Sequence, residues 1–162
     1  MLSFGEQNIT LVLGNLFSNV AVNTGVVGDV FGIAQLSNGA TTSSLSNKVS
    51  FPYFSRVVSP SSGQVGVLVS TIQYYYDIYG PGWDKVSVVA TANEYGINIA
   101  ELFIESIGDD ISIGTFQQYI VGATDFDVEL REIKNSGARI IAAFLEFQYG
   151  EFIVAANEEG LV

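Results

Sequence analysis

The sequence predicts an α/β fold built on parallel strands, and three observations carry that prediction. Short apolar runs alternate with longer segments of helical spacing, the pattern of strand–helix–strand units. The run Val86-Ser87-Val88-Val89-Ala90 carries no charge, as expected for a strand covered on both faces. Glycine or Gly-Pro punctuation follows the helical segments at Gly80-Pro81-Gly82, Gly137 and Gly160.

In chain order, Ile9 to Leu13 reads as a buried strand, with Gly14-Asn15 as its turn. Ser18 is placed to cap a helix reaching about Phe31, which Gly25 and Gly28 weaken. Ile33 to Ser37 is the next strand, Asn38 to Asn47 a polar loop, and Tyr53 to Val58 a short strand. From Gln64, the spacing of Val65, Leu68, Val69, Ile72, Tyr75, Tyr76 and Tyr79 is helical. After the strand Val86 to Ala90 come a helix over Ile97 to Ile107 and a strand opening at Ile111 to Phe116. Thr124-Asp125-Phe126-Asp127 has the form of a helix start, Thr as cap and carboxylates in the first turn, and the helix ends near Asn135-Ser136-Gly137. A strand over Ala138 to Leu145 and a helix over Glu151 to Glu159 complete the chain.

Composition excludes several functions. The chain is 48% hydrophobic and 14% charged, where about 25% charged is usual, so much apolar surface needs burial. No run approaches the roughly 18 apolar residues of a membrane-spanning helix. Met1 to Glu6 has no basic residue ahead of an apolar core, so no leader is expected within this chain. A net charge of −11 argues against nucleic acid and anionic membrane as partners. Cys and His are both absent, which removes disulfides, the usual zinc sites and His-based triads. With no G-x-G-x-x-G or P-loop motif either, no cofactor is expected and an enzyme is disfavoured.

Specific wording then narrows the class. SNGATTSSLSN (Ser37 to Asn47) precedes FPYFSRVV (Phe51 to Val58), and Trp83 leads through VSVVA to Tyr95-Gly96. TDF (Thr124 to Phe126) and NSGARII (Asn135 to Ile141) follow in order. Across nearly the whole chain this series resembles the ligand-binding region of class C G-protein-coupled receptors, natriuretic-peptide receptors and branched-chain amino-acid-binding proteins. The resemblance implies Rossmann-like parallel sheets with flanking helices, part of a bilobed type I periplasmic-binding-protein-like domain. Residues 1–56 would be a partial first lobe and 57–162 a partial second lobe, within a longer receptor.

The same resemblance implies site residues. Ser18 and Thr41, the latter preceded by Ala40, would bind the ligand from the first lobe, and a helix N-terminus is a natural carboxylate site. Tyr95 would cover the ligand from the second, with an aromatic face suited to an ammonium group and Glu94 and Asn93 beside it. Ser61 stands where amino-acid receptors carry an acid, and Gly39 where glutamate receptors carry a hydroxyl. Each residue also has a structural reading: Ser18 as a cap, the Ser/Thr loop as satisfying its own backbone, Arg56 as pairing with a carboxylate or backbone at a crossover. The Tyr74-Tyr75-Tyr76 run reads as packing, Asp109-Asp110 as a turn and Asp125/Asp127 as a helix start. Asn8-Ile9-Thr10 is a glycosylation sequon whose use the adjoining buried strand disfavours.

The function expected is that of a sensor: the extracellular part of a cell-surface receptor that closes on a small polar molecule, an amino acid or a relative, in an interlobe cleft. The alternatives are a substrate-binding component of an amino-acid transporter, or a remnant of the fold that binds nothing. Membrane attachment would come only through segments absent from this chain, and the intact receptor would form a homodimer.

Overall fold

A computed structural model describes Ser3 and residues 6–161; Met1, Leu2, Phe4, Gly5 and Val162, at the outer bounds of the two expected lobes, lie outside the described residues. The fold is the α/β type expected, with parallel strands in two sheets flanked, among the described residues from Ser18 onward, by five α-helices. The chain divides into two compact units, Met1–Gln64 and Val65–Val162. The expected lobe border at Arg56 falls on the last residue of a strand, eight residues before that division.

The first unit contains β1 (Leu11–Leu13), α1 (Ser18–Phe31), β2 (Ala34–Ser37), a short 3-10 helix (Ser43–Ser46) and β3 (Phe54–Arg56). The strands pair in parallel in the order β1-β2-β3, with Leu36 opposite both Leu13 and Ser55. The expected buried strand at Ile9 to Leu13 is shorter and more open: β1 starts at Leu11, lies at the sheet edge, and leaves Leu13 75% exposed. Asn8 is exposed too and adopts a left-handed φ of 56°, so the sequon adjoins an open strand rather than a buried one.

Helix α1 buries Ser18, Ala21, Gly25 and Gly28, a stripe of small residues that lets it lie close to its neighbours. Gly25 therefore has a packing role as well as a helix-weakening one: a Cβ there would meet the Phe51 ring at 3.0 Å. Ser18 does not cap this helix. The cap position is Phe17, without a side-chain hydrogen bond, and Ser18 is the first helical residue, its hydroxyl turned to the Ser/Thr loop. Within that loop, fully buried Leu45 joins Ala21, Ala40, Phe51 and Phe54 in a small core.

Helix α2 (Ser61–Tyr79) begins three residues before the expected Gln64 and is followed by β4 (Lys85–Thr91), α3 (Glu94–Ser106), β5 (Ser112–Tyr119), α4 (Asp127–Ser136), β6 (Ile140–Phe144) and α5 (Tyr149–Glu158). The second sheet is parallel in the order β5-β4-β6, with Val88 opposite Phe116 and Ala142. Alternate residues of β4 point to opposite faces. Val86, Val88 and Ala90 join Val65 and Val69 of α2 and Phe103 of α3, while Val89 joins Leu130 of α4 and Phe152 of α5. That two-sided covering is why β4 carries no charge inside. Phe103 is fully buried, 5.5 Å from the Phe144 ring, and its truncation to Ala would cost about 3–5 kcal/mol.

Two helix starts differ from expectation. Helix α3 begins at Glu94 because Asn93 caps it, its Oδ1 accepting from Gly96 N at 2.9 Å. Helix α4 has Phe126, not Thr124, at its cap position; Asp125 Oδ1 accepts from Asp127 N at 2.9 Å, and Asp127 and Glu129 occupy the first turn. Its expected glycine stop holds, with Gly137 at φ 69°. The tyrosine run also splits. Tyr76 packs on the core, but Tyr74 is 61% exposed and Tyr75 stacks on Trp83 at 4.9 Å, outside the core.

Candidate functional site

In the first unit, the residues of interest gather after the carboxyl ends of β2 and β3. Ser37 closes β2; its hydroxyl donates to Asn15 O at 2.6 Å and accepts from Gly39 N and Ala40 N at 3.2 and 2.9 Å. Ser18 Oγ accepts from Thr41 N and Thr42 N, both at 3.2 Å. Ser61 donates to Thr41 O twice, from its backbone N at 2.8 Å and its hydroxyl at 3.0 Å. Arg56 donates to Ala40 O at 3.2 Å, to Thr42 O at 2.8 Å and to Ser46 Oγ. Burial pulls the Arg56 guanidinium below its ordinary pKa. Its role is thus the backbone one of the two expected.

The loop is held from outside by three serines and an arginine, so most of its backbone polar groups are satisfied. Ala40 and Ser61 are completely buried and Ser18 nearly so. Gly39 is explained by space: a Cβ there would stand 3.0 Å from Leu16 O and 2.2 Å from Leu16 Cδ1. Thr41 Oγ1 is buried without a hydrogen-bond partner, as is Gln35 Nε2 on β2, whereas buried polar groups are usually satisfied.

In the second unit the relevant edge is the carboxyl end of β4 and β6. These strands are neighbours, yet the helix after β4 packs on one face of the sheet and the helix after β6 on the other. That arrangement is a topological switch point, where open α/β sheets bind ligands. Asn93, Glu94 and Tyr95 follow β4 there. Gly96 is required because a Cβ would lie 2.1 Å from Thr91 O. This close approach seats the first turn of α3 on the strand end. Tyr95 is half-buried and lines a pocket of about 370 Å³ with Ile141, Leu145, Tyr149 and Phe152.

Glu146, which the sequence reading passed over, joins this edge from the end of β6. Asn93 Nδ2 donates to its carboxylate. Its backbone is tied to β4 through Thr91: Glu146 N donates to Thr91 Oγ1 at 2.8 Å, and that hydroxyl donates to Glu146 O at 3.1 Å. Phe147 and Gln148 follow with φ of 63° and 42°, a tight turn in the left-handed region. Burial raises the Glu146 pKa, and the Asn93 hydrogen bond partly opposes that rise. Burial also raises Tyr95, and the Glu146 charge adds to it. The available signal was a lone acid directly after an apolar strand, in Phe144-Leu145-Glu146.

The arrangement supplies hydrogen bonding and one carboxylate beside an aromatic ring. No helix among the described residues is long and apolar enough to cross a membrane. The chain is 30% identical over 99 residues to metabotropic glutamate receptor 6 from Oryctolagus cuniculus, a match covering 61% of this chain and 11% of the relative. The chain thus spans only a small part of that relative's length. All of residues 1–162 match the family described as receptor family ligand binding region, and the chain belongs to that family.

Proposed function

We propose that the chain is part of the extracellular sensor region of a cell-surface receptor and recognises a small polar molecule bearing an ammonium group, an amino acid or a relative. The observation that carries this reading is the second unit's switch point, where Tyr95 and Glu146 lie together and Asn93 holds both the carboxylate and the start of α3. A carboxylate next to an aromatic ring is the chemistry of ammonium recognition. In the first unit Thr41 Oγ1 is a buried hydroxyl without a partner, suited to an acceptor such as a ligand carboxylate. The relative's name, a metabotropic glutamate receptor, supports the amino-acid class.

A second reading, a remnant that binds nothing, draws on Ser61, whose N–H and hydroxyl are both engaged with Thr41 O. Thermal melts against a panel of α-amino acids and simple amines separate the two. A ligand at a hundred times its Kd stabilises by about 2.7 kcal/mol, which for a chain of this size is about 5–10 °C in Tm. Binding predicts a saturable rise with at least one α-amino acid, absent in Tyr95→Ala and Glu146→Gln. No rise with any compound, or one that persists in both variants, favours the remnant.

A further inference from the structure

We propose that Asn8 is a modification site, the acceptor of an N-linked oligosaccharide, and that the glycan stands at the end of the first sheet away from the Ser/Thr loop. The inference rests on the extracellular part of the reading above, because this transfer takes place in the lumen of the secretory pathway. Asn8-Ile9-Thr10 is the only N-x-S/T sequence in the chain, the form that the transferring enzyme reads.

The sequence disfavours this site only through the buried strand expected from Ile9, and the structure removes that objection. Gln7 and Asn8 form a turn, and β1 begins two residues after Ile9, at Leu11. Asn8 and Thr10 are exposed, with half-buried Ile9 between them. Successive side chains of an extended segment point to opposite sides. This alternation therefore turns Ile9 inward and sends the Asn8 amide and the Thr10 hydroxyl outward together, the two groups on which acceptor recognition depends. The left-handed φ of 56° at Asn8 suits its type, since asparagine visits that region more readily than most residues.

The amide is also available. Elsewhere asparagine side chains serve the fold: Asn15 Nδ2 donates to Thr24 Oγ1 at 2.7 Å, Asn23 Nδ2 to Asn19 O at 2.8 Å, and Asn93 Nδ2 to the Glu146 carboxylate. Between described residues, no side-chain hydrogen bond engages Asn8. The chain is held just beyond it, where Thr10 O accepts from Ala34 N at 2.9 Å. The acceptor thus lies on an exposed turn beside a fixed backbone.

In the transfer, Asn8 Nδ2 forms a bond to the anomeric carbon of an oligosaccharide carried on a polyprenyl diphosphate. The bond from that carbon to the diphosphate breaks, polyprenyl diphosphate leaves, and the amide gives up one proton. No oxidant or reductant takes part. The strands of the first sheet are parallel. Asn8, ahead of β1, is therefore at the amino end of the sheet, and the Ser/Thr loop follows the carboxyl end of β2. A bulky polar glycan at Asn8 stands clear of that loop by the length of a strand.

The test places the 162-residue chain behind a cleavable secretion leader in cultured animal cells. Leader-cleaved protein, which has entered the lumen, is collected from cells and medium and weighed before and after peptide N-glycosidase. Its mass should fall by one oligosaccharide. Asn8→Gln and Thr10→Ala should show no such fall, and Thr10→Ser, which keeps the sequon, should retain it. Bacterially made Asn8→Gln should melt like the bacterially made parent, since Asn8 is exposed. Leader-cleaved protein without sugar, or sugar that persists in Asn8→Gln, would overturn the proposal. The sensor reading fails separately: a glycosylated Asn8 with no response to the α-amino-acid panel sinks that reading and keeps the glycan. A response from a chain whose Asn8 stays bare does the reverse.

Discussion

Replacing Ser18 by Ala removes one oxygen from a point where two backbone N–H groups converge, those of Thr41 and Thr42, each at 3.2 Å. Ser18 and Thr42 are buried, and Thr41 is nearly so, so water does not readily take the place of the hydroxyl. An orphaned buried donor costs about 1–3 kcal/mol. Because 3.2 Å is the long end of the N–H···O range, each bond belongs near the low end, giving about 2 kcal/mol for both. Ala regains a few tenths as a better helix former. The expected result is a Tm about 4–8 °C lower for a chain of this size, read by circular dichroism. Ser18→Asn separates this role from ordinary capping. Asn equals Ser as a cap, so a capping role predicts unchanged stability, whereas the buried bridge has no room for the larger side chain. An Asn variant as stable as the parent, or a loss below about 0.5 kcal/mol in the Ala variant, would refute the reasoning.

Gly96→Ala should destabilise by about 3 kcal/mol, the upper range for overpacking, because its Cβ meets Thr91 O at 2.1 Å and Thr91 N at 2.9 Å, both backbone atoms; a urea midpoint equal to the parent's would contradict this. Thr41→Val, nearly equal in shape, removes a buried hydroxyl without a partner and should raise the Tm of the ligand-free chain, by about 1 kcal/mol in stability, while weakening any amino-acid response. Glu146→Gln keeps an acceptor for Asn93 but removes a carboxyl whose folded pKa stands above its ordinary 4.5. A raised acid pKa means the folded state holds the proton more tightly, so the parent loses stability as pH rises from 4.5 through the folded value. The variant should melt like the parent below that window and higher above it, and a Tm difference constant across the whole pH range would count against the linkage.

The alternation of strands and helices was legible because period and punctuation are local properties: the uncharged run Val86 to Ala90 within β4 and the stop at Gly137 both stand as expected. Helix starts were less legible. Ser18 and Thr124 have the right chemistry for caps, but neither side chain caps its helix, because Ser18 lies one residue inside its helix and Thr124 outside its own. Asn93, overlooked as a cap, advanced α3 to Glu94 through one side-chain bond. Of the candidate site, the place of Tyr95 at a strand end was legible in the Tyr-Gly dipeptide, and the steric need for Gly96 explains why that dipeptide carries information. Glu146 was missed because what makes it notable, its meeting with Asn93 and Thr91, joins residues more than fifty positions apart.

The same interactions set apart the groups proposed to meet a ligand. Around the Ser/Thr loop, Ser18, Ser37, Ser61 and Arg56 satisfy one backbone group after another, which a purely structural loop would also need. That fixation is what makes Thr41 informative, since a loop held this firmly could have accommodated valine at position 41 at no hydrogen-bond loss. Likewise, a half-buried carboxylate whose burial disfavours its charge is a poor choice for stability at the end of β6, yet Asn93 and Thr91 hold it in place. Departures from local stability that the surroundings go to some length to maintain are expected at functional positions. Thr41→Val and Glu146→Gln therefore make one joint test. Both should stabilise the ligand-free chain near neutral pH and both should lose the ligand response, whereas in a remnant that binds nothing the gain in stability would come without any loss.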